Sequence, residues 1–224
     1  MFESQTRPIV YTQYEHGRLA GILARQWGNE TFARPALEFD AFAAGVTLHD
    51  WGYGVVDNLP LGKASEDDWL VVMRNGVDKR FDDPTTDIVV KLHLRRLLSM
   101  HASAERETHS AQIDELVDTR LAESGLSLEN FRRADKITQL CDMISFSYCF
   151  EFPIERTYEV FSRPDAAETT GITFEIRPGG EVIVDPWPFA VPDISGILYA
   201  FERQGYPEAL NPRVIPFSIR RLAG

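Results

Sequence analysis

Histidines recur on apolar helical faces of this 224-residue chain, and their side chains could bind a metal ion. His16, His49 and His101 each stand three, four, seven or eleven positions from apolar residues of their own segments, and these spacings stack on one helix face. Their imidazoles are therefore expected to point into the protein from three different helices. Borderline divalent metals take imidazole and carboxylate ligands together.

Two aspartates extend this pattern. Asp50 directly follows His49 at the end of a predicted helix, so both side chains can reach one ion that lies beyond the helix end. Asp142 interrupts the apolar run at 140–146, where an unpaired ionised carboxylate would cost several kcal/mol. A single buried histidine is more often a hydrogen-bonded core residue. Three histidines and two aspartates of this kind on four helices, however, favour one shared metal site.

Helical periodicity and capping residues divide the first 152 residues into helices. The predicted helices span 12–27, 35–50, 67–75, 84–103, 106–124 and 127–151. The first begins at a Thr12 N-cap, the second has Pro35 at its first position, and the fourth follows Asp83. A loop rich in Gly, Asp and Pro is expected at 51–65.

The remaining segment, 153–224, has strand character. Apolar and polar residues alternate on either side of Pro178-Gly179-Gly180, which predicts a hairpin. Further strands are expected at 196–201 and 214–220. The predicted fold is therefore mainly α, a helical bundle with a small C-terminal antiparallel β segment packed on it in the same compact unit.

Charge and composition exclude several classes of protein. With 34 acidic and 23 basic residues, the net charge of -11 disfavours binding to nucleic acid or to an anionic membrane. No apolar run approaches the roughly 20 residues of a membrane span, and the N-terminal residues lack a signal-peptide pattern.

Cys141 and Cys149 lie about 12 Å apart along one predicted helix, too far for a disulfide. We expect a cytoplasmic protein with both cysteines buried and free.

The histidines and aspartates resemble the pattern of the HD-domain superfamily, helical metal-dependent phosphohydrolases named for their His-Asp doublet. Within it, the chain is similar to a bacterial family known only as a domain of unknown function. The resemblance implies an HD-like, metal-binding helical body over residues 1–152, with 153–224 as a β-rich extension. The stretches that carry it are Gln13-Tyr14-Glu15-His16, Leu48-His49-Asp50-Trp51-Gly52, Leu97-Leu98-Ser99-Met100-His101, Gln139-Leu140-Cys141-Asp142-Met143-Ile144-Ser145 and Asp185-Pro186-Trp187-Pro188-Phe189.

The same resemblance implies a divalent-metal cofactor, one or two ions of Fe, Mn or Zn. The implied ligands are His16, His49, Asp50, His101 and Asp142. One-metal HD enzymes use four ligands, and the extra His101 resembles the two-metal branch, in which Asp50 would bridge the ions. His93 lies about 80° round its helix from His101, so it either shares the site or flanks it.

The implied activity is hydrolysis of a small phosphate ester or nucleotide by metal-activated water. Asp50 would be catalytic, with Asp57 or Glu15 as proton acceptors. The substrate contacts would come from Gln13, Arg18, Trp51, Tyr53 and Lys63. Nucleic-acid and membrane partners are not expected, and a homodimer is compatible with a protein of this size.

Two other functions remain open at this stage. Some HD-fold proteins activate dioxygen at a di-iron centre, and a histidine-rich ligand set is compatible with that oxygenase chemistry. A non-catalytic protein that keeps the fold and binds a ligand or a partner is the second alternative. Iron content and redox activity would favour the oxygenase, whereas a failure to take up metal would favour the binding protein.

Overall fold

The fold is known from a computed structural model that describes residues 1–100, 103–177 and 179–222. A 3₁₀ segment spans Trp51–Asn58, inside the expected loop. The α-helices are α1 (Gln13–Gln26), α2 (Phe39–Thr47), α3 (Glu66–Asp78), α4 (Pro84–Ser99), α5 (Ala104–Ser124) and α6 (Leu128–Phe150). Among the described residues, no helix combines the length and the apolarity that crossing a membrane requires.

The strands form one mixed sheet. Its order is β1-β2-β6-β7-β5-β4-β3, and among the described strands only β5 and β7 run parallel to each other. The strands are β1 (Phe2–Glu3), β2 (Ile9–Tyr11), β3 (Glu155–Phe161), β4 (Thr169–Ile176), β5 (Glu181–Asp185), β6 (Asp193–Glu202) and β7 (Pro212–Arg221).

The prediction of a mainly α, HD-like bundle with a small antiparallel β segment is wrong. The sheet has seven strands, it includes a parallel pair, and it recruits β1 and β2 from the opposite end of the chain. Strands of two and three residues are too short to show a period of two, and β6, the partner of β2, lies almost 200 residues away. The hairpin of β4 and β5 and the strands β6 and β7 are confirmed.

Helices α1 and α6, which carry His16 and Asp142, pack on this sheet. Helix α6 contacts α1, β1 and β3, and α1 also contacts β6. Strand β4 buries Ile172, Phe174 and Ile176 on one face, as a period of two requires when one face of a sheet is covered. Both cysteines are buried and free, as expected.

Helix boundaries decide where the His-Asp doublet lies. The Thr12 cap is confirmed, since its hydroxyl accepts the Glu15 N–H at 3.2 Å. The second helix does not begin at Pro35, because the Glu38 carboxylate caps a helix that begins at Phe39. This helix ends at Thr47, so the doublet follows the helix and does not lie within its last turn.

Helices α1 and α2 approach each other closely at glycines. A Cβ atom on Gly21 would lie 1.9 Å from Thr47 Oγ1, and one on Gly17 would lie 2.5 Å from the Thr47 carbonyl oxygen. Only glycine fits at such distances, so the two small residues let the end of α2 reach the face of α1. This contact brings His16 next to His49.

Candidate metal centre

Four side chains from α1, α6 and the segment after α2 converge at one buried point. The Nε2 atoms of His16 and His49 lie 3.0 Å apart, and Asp142 Oδ1 lies 3.3 and 3.4 Å from them. Asp50 Oδ2 is 3.5 Å from His16 Nε2 and 3.7 Å from His49 Nε2. We call these four residues the His-Asp cluster.

The spacing of His16, His49 and Asp142 suits a single cation, since one donor atom from each lies within 4.8 Å of the other two, whereas Asp50 groups in the same way with His49 and His93. With metal–ligand distances of about 2.1 Å, neighbouring ligands lie about 3.0 Å apart in an octahedral site and about 3.4 Å apart in a tetrahedral one. The five donor–donor distances given above run from 3.0 to 3.7 Å. Two imidazoles and two carboxylates also form a donor set that suits Zn, Fe or Mn.

Hydrogen bonds fix the tautomers of both histidines. His49 Nδ1 lies 2.7 Å from the Val46 carbonyl oxygen, which can only accept, so Nδ1 carries the hydrogen. The Ser145 hydroxyl donates to the Asp142 carbonyl oxygen at 3.0 Å and therefore accepts the Nδ1–H of His16 at 2.7 Å. In their neutral forms both imidazoles thus turn an Nε2 lone pair toward the other, and two buried lone pairs repel unless a cation or a proton lies between them.

The carboxylates make this point favourable for positive charge. Burial alone would lower the pKa of His16, but hydrogen bonds to Asp142 and Asp50 outweigh burial and raise that pKa well above its usual value. Burial would raise the pKa of both aspartates, yet the imidazoles of His49 and His16 hold it well below normal. A proton on His16 supplies one positive charge to the cluster, and a divalent ion would supply two.

His93 and Arg96 on α4 border the cluster. His93 Nε2 lies 3.0 Å from Asp50 Oδ1, and His93 Nδ1 lies 2.8 Å from Arg96 Nη2. Burial and the positive potential of His49 and Arg96 lower the pKa of His93. The sequence interpretation did not include Arg96, although its place three residues after His93 puts it on the same helix face.

Comparison with known proteins identifies a family. A family model described as "Protein of unknown function (DUF3891)" matches residues 1–196. The chain belongs to this family. Searches of curated proteins and of solved structures found no match. The predicted similarity to a family of unknown function is thus confirmed, whereas neither the match nor the fold supports placement in the HD-domain superfamily.

The structure directs Glu15 and Arg18 away from the His-Asp cluster. The Glu15 carboxylate accepts from Arg18 Nη2 at 2.7 Å and from the backbone N–H of Tyr199 at 2.8 Å. Arg18 also donates to the carbonyl oxygen of Ile197. This ion pair joins α1 to β6, so neither residue is free to reach a substrate at the cluster.

A cavity of about 270 Å³ lies beside the cluster and shares Asp50 with it. Asp57 lines it, but its carboxylate accepts the backbone N–H of Gln13 at 2.9 and 3.0 Å and so anchors the start of α1. Lys63 is exposed and is not among the residues that line the cavity, and His101 lies outside the described residues. The cavity lining comprises Gln13, Tyr14, Gly17, Thr47, Leu48, Asp50, Trp51, Gly54 and Asp57.

Two predicted substrate contacts, Trp51 and Tyr53, are aromatic residues that follow Asp50 in the sequence. The Trp51 side chain is half exposed and packs on Phe81 with ring centroids 5.9 Å apart. Tyr53 is largely buried, and its pKa is raised by burial and by the negative charges of Asp50 and Asp142. The Tyr53 hydroxyl therefore keeps its proton and can act as a hydrogen-bond donor near the cluster.

Proposed function

We propose that this protein is a metal-dependent hydrolase of small phosphate esters, with the metal held by His16, His49, Asp50 and Asp142. The observation that supports this most is that two imidazole nitrogens lie 3.0 Å apart in the protein interior, with a carboxylate oxygen of Asp142 and one of Asp50 each 3.3–3.7 Å from both nitrogens. Without a metal, the two buried carboxylates would depend for compensating charge on a proton at His16 and on Arg96, which lies 3.8 Å from Asp142.

A bound divalent ion would supply a Lewis acid that lowers the pKa of water toward 7 and polarises a phosphoryl oxygen. The chain's own residues hold the donors in place. The Val46 carbonyl and the Ser145 hydroxyl orient the two imidazoles, and such outer hydrogen bonds raise ligand basicity. Asp50, with 12% of its side chain exposed, is the cluster residue that also faces the cavity.

The cavity favours a small, singly phosphorylated substrate. Its volume of about 270 Å³ lies just below the range of typical small-molecule pockets. No Lys or Arg is among the residues that line it, so the negative charge of a phosphate would have to be met by the metal. The described residues that line the cavity would offer a triphosphate chain no cation besides the metal. The exposed rings of Tyr14 and Trp51 could pack against the organic part of the substrate.

The test is phosphate release by protein reloaded in turn with Mn, Fe, Zn and Mg. Substrates would be p-nitrophenyl phosphate, nucleoside monophosphates and nucleoside triphosphates. We expect metal-dependent release from monoesters, at least 100-fold reduced in His49→Ala and Asp142→Asn, and retained in His109→Ala, a histidine on α5 remote in sequence from the cluster. No release with any metal, or dioxygen consumption by the iron form, would contradict the proposal.

A further inference from the structure

Both ring nitrogens of His93 lie within hydrogen-bond distance of groups whose donor or acceptor role is known. Its Nδ1 lies 2.8 Å from Arg96 Nη2, and a guanidinium nitrogen can only donate, so Nδ1 must be the acceptor. A neutral imidazole then carries its single hydrogen on Nε2. Because Nε2 lies 3.0 Å from Asp50 Oδ1, that hydrogen is donated to the carboxylate.

Arg96 is itself held by α6. Its Nη1 donates to Asp135, and its Nη2 lies 3.8 Å from Asp142 Oδ2. These two aspartates stand seven residues apart, on one face of the helix. The guanidinium is therefore fixed by carboxylates on α6 while it donates to His93 on α4.

We propose that Arg96 is a positioning residue that locks His93 in the Nε2–H tautomer, so that His93 is a donor to Asp50 and not a metal ligand. The consequence, which rests on the proposed metal site, is a centre with one ion. A second ion beside Asp50 Oδ1 would need the Nε2 lone pair of His93, and that lone pair is absent while Arg96 donates to Nδ1. Asp50 then offers only Oδ2 to the metal, because Oδ1 is taken by His93.

Substitution of Arg96 should allow His93 to change its tautomer. His93 Nδ1 lies 3.7 Å from Asp142 Oδ2, so in Arg96→Met the Nδ1–H form gains an acceptor and frees Nε2. Arg96→Lys keeps a donor and should preserve the Nε2–H form. Arg95→Met is the matched control, since Arg95 neighbours Arg96 on α4 but pairs with Asp114 near the surface, at 3.0 Å.

The experiment is a long-range proton–nitrogen NMR correlation on histidine-labelled, zinc-loaded protein, with zinc counted by elemental mass spectrometry. His93 is assigned from the signal lost in His93→Gln. We expect one zinc per chain and an Nε2-protonated, zinc-free His93 in the wild type, in Arg95→Met and in Arg96→Lys. We expect at least half of the Arg96→Met molecules to switch to the Nδ1–H form or to bind a second zinc through His93.

Three outcomes would overturn the inference: a wild-type His93 protonated on Nδ1, an Arg96→Met protein whose His93 stays Nε2-protonated and binds no second zinc, or two zinc ions per wild-type chain with one lost in His93→Gln. If the wild type binds no zinc at all, the proposed metal site and the one-ion count fail together. The tautomers of His93 in zinc-free wild type and zinc-free Arg96→Met then decide the role of Arg96 separately: Nε2–H in the wild type with Nδ1–H in the variant supports the lock, and the same tautomer in both refutes it.

Discussion

The Ser145 hydroxyl accepts the Nδ1–H of His16 at 2.7 Å, and both residues are fully buried. Because the same hydroxyl donates to the Asp142 carbonyl oxygen at 3.0 Å, its lone pairs are free to accept from His16. One serine on α6 therefore fixes the tautomer of a histidine on α1, and the Nε2 lone pair of His16 faces the cluster.

Ser145→Ala should weaken metal binding without unfolding the protein. The substitution leaves the His16 Nδ1–H without its acceptor and removes the bias toward the ligating tautomer. Loss of such an outer hydrogen bond typically weakens metal affinity about 10–100-fold. Calorimetric titration with zinc would measure the change, with Ser147→Ala, a buried serine two residues along α6, as the control. Equal affinities for wild type and Ser145→Ala would refute this role of Ser145.

The contact between α1 and α2 gives a prediction for stability. Gly21→Ala places a methyl group 1.9 Å from Thr47 Oγ1 and 2.8 Å from Thr47 Cβ, so the helices must move apart. We expect a loss of about 1–3 kcal/mol in the free energy of unfolding, the usual cost of overpacking, measured by urea denaturation. Gly54→Ala is the control, since a Cβ there meets no atom within 4 Å. An unchanged free energy of unfolding in Gly21→Ala would show that this close approach does not hold the helices together.

Four of the five proposed ligands could be recognised in the sequence because they interrupt apolar faces, and their binding of a metal stays a prediction. Asp142 stands in a buried run, and His16 shares a stripe with apolar neighbours, so both positions are recognisable without a fold. The hydrogen-bond partner of His16 could also have been predicted, because Ser145 lies three residues after Asp142 on the same face of α6.

Other features depend on contacts between distant segments and leave no periodic signal. The sheet order, with β2 beside β6 and β7 beside β5, is decided by packing of the whole chain. The start of α2 was misplaced because Glu38, a less common N-cap, begins the helix, whereas Pro35 suggested an earlier start. The environment of Glu15 likewise follows from β6, whose Tyr199 N–H it accepts.

Glu151 should make stability depend on pH. Burial would raise the pKa of its carboxyl, but hydrogen bonds from Arg7, Ser4 and Thr6 outweigh burial and hold that pKa below 4.5. A carboxyl whose pKa is lower in the folded state stabilises the protein above its unfolded pKa and loses that contribution as the pH falls through the folded one.

The matching variant is Glu151→Gln. We expect it to unfold about 1.5–3 kcal/mol more easily than the wild type at pH 7, the range for hydrogen bonds to charged groups. The difference should shrink as the pH falls below about 4.5, the usual glutamate range. Urea denaturation at pH 7 and at acid pH measures both quantities, with the exposed Glu155→Gln as control. A difference independent of pH would mean that the charge of Glu151 does not contribute.

Metal content tests the central claim most directly. Elemental mass spectrometry would be performed on protein purified without a His-tag or chelator, beside His49→Ala and Asp142→Asn, with circular dichroism to verify folding. We predict one equivalent of Fe, Mn or Zn in the wild type and less than a tenth of that in both variants. A wild type that holds no metal as purified, and takes up none when metal is added back, would contradict the account of the His-Asp cluster as a metal centre.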